Sequence, residues 1–168
     1  MAQFGRMKKG ILIGLVLCLV VVGFLFLGGG GEERAIEKRL DALVEQVEKD
    51  GPASKFEAVG RARKVVEFFA PEADVEYYPR RRLPRDLDSM QGAFIQAWDS
   101  LDTATVWIQQ HKVELDASEE NAVSTFRATS QVKMNGEQDM SDTIPYRIEW
   151  VKLDGEWKIA RVEANYVP

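Results

Sequence analysis

Residues 10–27 form an apolar run without a single charge, in which only Gly10, Gly14, Gly23 and Cys18 stand among aliphatic and aromatic side chains, and no other segment constrains this chain so tightly. As a helix rising about 1.5 Å per residue, the run is roughly 27 Å long, close to the roughly 30 Å hydrocarbon core of a bilayer. It predicts one membrane-spanning helix. Arg6, Lys8 and Lys9 stand just before it, while Glu32 and Glu33 follow a four-glycine joint at 28–31. That asymmetry predicts a cytoplasmic tail at 1–9 and an extracytoplasmic domain at 32–168, periplasmic if the cell has two membranes. A cleaved secretory signal is the alternative, but its apolar core is usually about 7–15 residues and ends at an Ala-x-Ala-like site, which is missing here. Cys18 lies in mid-run behind Leu17, where lipoprotein processing would need a small residue, and reads as a small apolar side chain. Gly10 and Gly14 match the small-xxx-small spacing that lets membrane helices approach closely.

Without Arg6, Lys8 and Lys9, the segment 32–168 keeps 19 basic residues against all 27 acidic ones, a formal net charge of −8. A nucleic-acid partner is not expected, because phosphate binding needs a basic surface. The segment has no cysteine and one histidine, His111. It therefore offers no disulfide and no zinc site, and no metal or cofactor is predicted.

Along the domain the apolar period changes once. Ile36, Leu40, Leu43, Val44 and Val47 recur at helical spacing until Gly51-Pro52. Ser54 and Glu57 make a capping box for a second helix, with Phe56, Val59, Ala62, Val66 and Phe69 as its stripe up to Pro71. A short strand is predicted at 73–78, followed by a loop between Pro79 and Pro84. A third helix is predicted at about 88–101, with Asp88 and Gln91 at capping-box positions and Met90, Phe94, Ala97, Trp98 and Leu101 on one face. From there the period is two. Segments 103–115, 122–134, 143–153 and 156–166 read as strands, joined by a longer loop at 116–121 and by the hairpin turns Asn135-Gly136 and Asp154-Gly155. The predicted class is α+β, with about three helices packed on a curved, mainly antiparallel sheet, behind an N-terminal transmembrane helix.

This order, with the closing run from Tyr146 through Asp154-Gly155-Glu156-Trp157-Lys158-Ile159 to Val162, resembles the nuclear transport factor 2-like (SnoaL-like) superfamily over residues 32–168. The resemblance implies a cone-shaped domain with a pocket between sheet and helices, often a homodimer through the sheet. The superfamily includes ketosteroid isomerases, dehydratases, polyketide cyclases, epoxide hydrolases and many members without catalytic activity, so the fold does not supply the function. In layout the chain is also similar to the periplasmic assembly component of type IV secretion and to accessory proteins of Mce lipid transport, and no functional residue carries over from either.

Strand alternation places Ile144, Tyr146, Ile148 and Trp150 inward and Arg147 and Glu149 outward. Before them, Ser124, Phe126, Ala128 and Ser130 face inward and Thr125, Arg127 and Thr129 outward. The expected pocket, with Tyr77, Trp98, Phe126, Tyr146 and Trp150 in its lining, is aromatic and carries hydroxyls but no carboxylate. Two residues could supply acid–base chemistry: His111, expected on one face with Trp107, Gln109 and Val113, and Asp74 at the start of the short strand. Each also has a plain surface reading. Arg80, Arg81, Arg82 and Arg85, in the proline-bounded loop of an acidic domain, could receive an anion, anionic lipid or acidic partner, or could pair with neighbouring carboxylates. Together these features predict a membrane-anchored, extracytoplasmic, non-catalytic binding or assembly module of the cell envelope, contacting an envelope protein or an apolar small ligand. The alternative is a pocket enzyme of isomerase, cyclase or hydrolase type that uses His111 or Asp74 with a tyrosine.

Overall fold

The structure, a computed structural model, describes residues 30–134 and 139–165. The expected tail and spanning helix, Gly28 and Gly29 of the joint, and the Asn135-Gly136 turn lie outside the described residues. Among the described residues, no helix is long and apolar enough to cross a membrane.

Helix α1 (Gly31–Val47) starts inside the glycine run and carries Glu32 and Glu33 in its first turn, where the helix dipole favours acids. It buries Ile36 and Leu40, while Leu43 and Val47 are half-buried against the core. Its last turn has no basic residue of its own. Arg61 of the next helix takes that role, donating to the carbonyls of Glu45 at 2.7 Å and Glu48 at 3.2 Å.

Helix α2 (Lys55–Val66) is capped as its sequence predicts, the Ser54 hydroxyl accepting from the Glu57 N–H at 3.2 Å. Its buried stripe is not the expected one. Ala58, Ala62 and Val65 are buried and Phe56 is 91% exposed. The small side chains let α2 lie close to the third helix, and that approach outweighs the bulk of Phe56. The helix also stops before Phe69, because the chain has already joined the sheet: the Ile159 N–H donates to the Phe68 carbonyl at 2.8 Å.

Strand β1 (Phe69–Tyr78) is therefore longer than predicted, with an irregularity between Phe69 and Asp74 where Glu72 has φ 58°. That bulge accommodates Pro71, which has no N–H for a regular ladder. The expected arginine loop contains strand β2 (Arg81–Arg82), which closes a hairpin on β1 through a turn where Arg80 has φ 67°. Helix α3 (Leu87–Asp99) is capped by Asp86, not Asp88: the Asp86 carboxylate accepts from the Ser89 N–H at 2.7 Å. Leu101 leaves that helix and opens the next strand.

Strands β3 (Leu101–Leu115), β4 (Asn121–Met134), β5 (Met140–Leu153) and β6 (Glu156–Ala164) form an antiparallel meander. Asp154 and Gly155 turn with φ 51° and 80°, the pair of left-handed residues that a two-residue type I′ hairpin needs. β1 joins β6 in parallel, so the six-stranded sheet is mixed, in the order β2-β1-β6-β5-β4-β3. The three helices cover its concave face and the result is a cone. Its outer face is polar, with Arg147 bonded to Glu149 and to Glu163 at 3.3 Å, and Arg161 to Glu163 at 2.8 Å.

A second bulge corrects the reading of β3. Gln110 has φ 54°, and the pairing with β4 shifts between Gln109 and Lys112. The inserted residue reverses the alternation. His111 and Val113 thus share the inner face with Ile108, while Trp107 and Gln109 face solvent.

Candidate functional site

Between the helices and the concave face lies an apolar cavity of about 350 Å³. α1 contributes Leu40, Leu43, Val44 and Val47, α3 contributes Met90 and Phe94, and the strands contribute Tyr77, Ile108, Phe126, Ala128, Ser130, Ile144, Tyr146 and Ile148 among others. The inward sets predicted for β4 and β5 supply much of this wall, because those strands pair without a register shift. Tyr77, Phe126 and Tyr146 line the cavity; Trp98 and Trp150 do not. Trp150 is buried below it, its indole N–H donating to the Ser124 hydroxyl at 2.8 Å. Trp98 lines a separate polar cleft with Lys49 and Arg61, its ring 4.4 Å from the Lys49 ammonium and 5.3 Å from the Arg61 guanidinium.

The cavity's polar groups are few. Tyr146 stacks on Phe126 with ring centroids 5.6 Å apart, and its hydroxyl donates to the Tyr77 carbonyl at 2.6 Å. Burial first, then the neighbouring Asp142 and Tyr78, push the Tyr146 hydroxyl up to about 12, so it stays neutral and can still accept a hydrogen bond. Ser130 adds a second hydroxyl. Among the described residues, no carboxylate, imidazole or ammonium is a lining group.

Asp74 faces the other side of the sheet. Its carboxylate receives Arg82 at 2.5 and 2.7 Å, and Arg85 lies at 3.5 Å. His111 packs edge-on against Phe126, centroids 5.6 Å apart, and is not itself a lining residue. The structure therefore does not bring Asp74 and His111 together, and neither enters the cavity. Leu83, inside the segment expected to be a loop, is a lining residue that strand alternation in the longer segments does not reach. The half-exposed wall from Leu43 to Val47 reads in the sequence as ordinary core, since periodicity marks a face and not what covers it.

The His111 Nε2 is buried without a hydrogen-bond partner. Burial lowers its pKa, against the opposing pull of Glu37 and Asp41 on α1. The fold thus favours neutral imidazole, whereas the unfolded chain takes up a proton near about 6.5. The contribution to stability is intact above that pH and is lost as pH falls through the lowered folded-state value. Unfolding between pH 7 and 5 should show a smaller pH-dependent loss for His111→Leu than for the wild type; parallel profiles would refute this.

Comparison with known proteins places these features in a family. Residues 59–163 match the SnoaL-like domain family. No curated protein matches the chain significantly. Among solved structures, a protein from Novosphingobium aromaticivorans provisionally named a scytalone dehydratase is 17% identical, with 82% of this chain and 89% of that one covered at a TM-score of 0.65. A second protein from that organism, provisionally named an aromatic ring hydroxylase, is 12% identical over 82% of this chain and 90% of its own, at 0.68. A nuclear transport factor 2-like superfamily protein from Salmonella enterica serovar Typhimurium is 13% identical over 81% and 91%, at 0.64. At such identities the likeness concerns the fold, and these names belong to those proteins. The family match covers more than half of the sequence, running from within α2 through α3 and all six strands: the chain belongs to the SnoaL-like domain family.

Proposed function

We propose that this domain is a non-catalytic binding module that takes a small apolar molecule into the cavity between its helices and sheet, and that it works outside the cytoplasm, held to a membrane by the apolar run at 10–27. One observation carries the reading: a cavity of about 350 Å³ whose wall is aliphatic and aromatic, with hydroxyls as its polar side-chain groups. That size and lining suit a small apolar ligand, with the two tyrosines and Ser130 to orient it. The pocket-enzyme alternative needs a group able to move a proton at the ligand. Tyr146 holds its proton too tightly to act as a base near neutrality, Asp74 is engaged by Arg82 and Arg85, and His111 stands outside the wall.

The anchor bears on the expected lipid contact of the arginines. Glu32, at the start of α1, is tied to the β5–β6 turn end of the sheet, through Trp157 at 2.7 Å and Lys152 at 2.8 Å. The arginine hairpin follows the far end of β1, where Tyr78 reaches Asp142 at 3.3 Å. The nine residues of β6 separate the two ends by about 26 Å at roughly 3.3 Å per residue. A domain standing on its N-terminal tether would hold those arginines away from the bilayer, which favours a soluble ligand or partner for them.

The test is binding of the neutral apolar dye N-phenyl-1-naphthylamine to the full chain in zwitterionic-lipid nanodiscs, with empty nanodiscs as background. The wild type should bind it saturably. Ala128→Phe, which fills the cavity from β4, should weaken binding by at least about tenfold. Saturable binding unaffected by Ala128→Phe, or no binding above background, would overturn the reading.

A further inference from the structure

We infer that the molecule held in this cavity is an anionic amphiphile, an apolar body with one carboxylate-like head, and that Arg80 and Arg81 receive the head; this rests on the apolar-ligand reading above. The four arginines of the hairpin region are not equivalent. Arg82 and Arg85 are engaged by Asp74, and Arg82 also lies 3.5 Å from Glu76, all on the outer face of the sheet. Arg80 and Arg81 are exposed, and neither forms an ion pair among the described residues. Their place in the hairpin matters more than their number.

Tyr77 and Leu83 bracket the turn that carries them, and both line the cavity. Tyr77 is 45% exposed, which marks this stretch of wall as a place where the cavity meets solvent. Leu83 continues the hairpin ladder, its N–H donating to the Val75 carbonyl at 2.9 Å. Because Arg82 sits with Asp74 and Glu76 on the outer face, strand alternation directs its neighbours Arg81 and Leu83 to the opposite face, the face of the cavity. Arg81 is thus on the cavity's side of the hairpin, two residues from the lining Leu83, while among the described residues the cavity has no charged lining of its own.

Asp142, the acid nearest in sequence to this wall from β5, accepts from the Tyr78 hydroxyl at 3.3 Å and the Thr143 N–H at 2.8 Å, both neutral donors, so at this mouth one carboxylate stands against the two arginines. Elsewhere the domain is strongly acidic, which would repel an anion. A head group drawn to this mouth can form paired, charge-assisted hydrogen bonds with planar guanidinium groups while its body leaves water. A neutral apolar ligand would gain only the second.

Decanoate and 1-decanol, which share one apolar body, separate these cases when each displaces N-phenyl-1-naphthylamine from the full chain in zwitterionic nanodiscs. The control variant is Arg80→Gly with Arg81→Ala, glycine being suited to the φ of 67° at that turn. Decanoate should displace the dye from the wild type at about tenfold lower concentration than from the double variant, and added salt should erode the difference; decanol should not distinguish the two proteins. Equal behaviour of decanoate on both proteins, with the dye bound normally, would overturn the head-group assignment and leave the apolar-ligand reading standing. Failure of the dye to bind the wild type would overturn both.

Discussion

Trp150→Ala should destabilise the domain by about 3–5 kcal/mol, the usual range for truncating a buried large aromatic side chain. Trp150 is 1% exposed, on β5 between Ala122 of β4 and Ile159 of β6, so neighbours held in two ladders cannot easily close the space left behind. The loss has a polar part as well. The Ser124 hydroxyl, itself 0% exposed, accepts the indole N–H at 2.8 Å and would lose that donor. Trp150→Phe keeps most of the ring and removes the N–H, so it should cost about 1–3 kcal/mol. Urea unfolding followed by circular dichroism, with the slope compared between variants, measures both. A loss below about 1.5 kcal/mol for Trp150→Ala would mean that the core relaxes around the site far more than its packing suggests.

Lys49 is the second position where a large effect is expected, and here the cause is hydrogen bonding. It is 7% exposed, and its ammonium donates to the carbonyls of Trp98 at 3.0 Å and Leu101 at 2.6 Å, on either side of the junction between α3 and β3. The cation also stands at the C-terminal end of α3, where the helix dipole favours it, and over the Trp98 ring at 4.4 Å. Its backbone makes a paired bridge to Ala104, so one residue ties the end of α1 to the start of β3. Lys49→Ala should cost about 2–4 kcal/mol, because buried carbonyls lose charged donors. Lys49→Met retains the apolar stem and should recover little of that loss. If the methionine variant proved as stable as the wild type, packing of the stem would be the whole role of Lys49.

The contrast between β4–β5 and β3 shows how far alternation carries. Ser124, Phe126, Ala128 and Ser130, with Ile144, Tyr146, Ile148 and Trp150, face inward as read, because β4 and β5 pair from end to end without a shift. On β3 the same reasoning puts His111 beside Trp107 and Gln109, and one inserted residue at Gln110 makes that face wrong. A bulge costs no recognisable residue type. The helix starts divide similarly: Ser54 caps as its spacing predicts, whereas Asp86 competes with Asp88 two residues on, and only the hydrogen bond to the Ser89 N–H decides between them. Of the aromatic residues expected in a pocket, Tyr77, Phe126 and Tyr146 meet in one cavity, while Trp98 and Trp150 are drawn into neighbouring sites by Lys49 and Ser124.

The order of residues therefore determined what depends on near neighbours: the apolar run at 10–27, the acidic balance of the remainder, three helices and four long strands, the Asp154-Gly155 turn, and with them the likeness to the SnoaL-like family. Local sterics and periodicity act over a few residues, so they can be read in one dimension. The parallel docking of β1 on β6, the reversal at Gln110, the exposure of Phe56, the pairing of Asp74 with Arg82 and the space left among the helices were decided by tertiary structure. Each depends on which surfaces meet across long stretches of chain, and a cavity above all is defined by what the assembled layers do not fill.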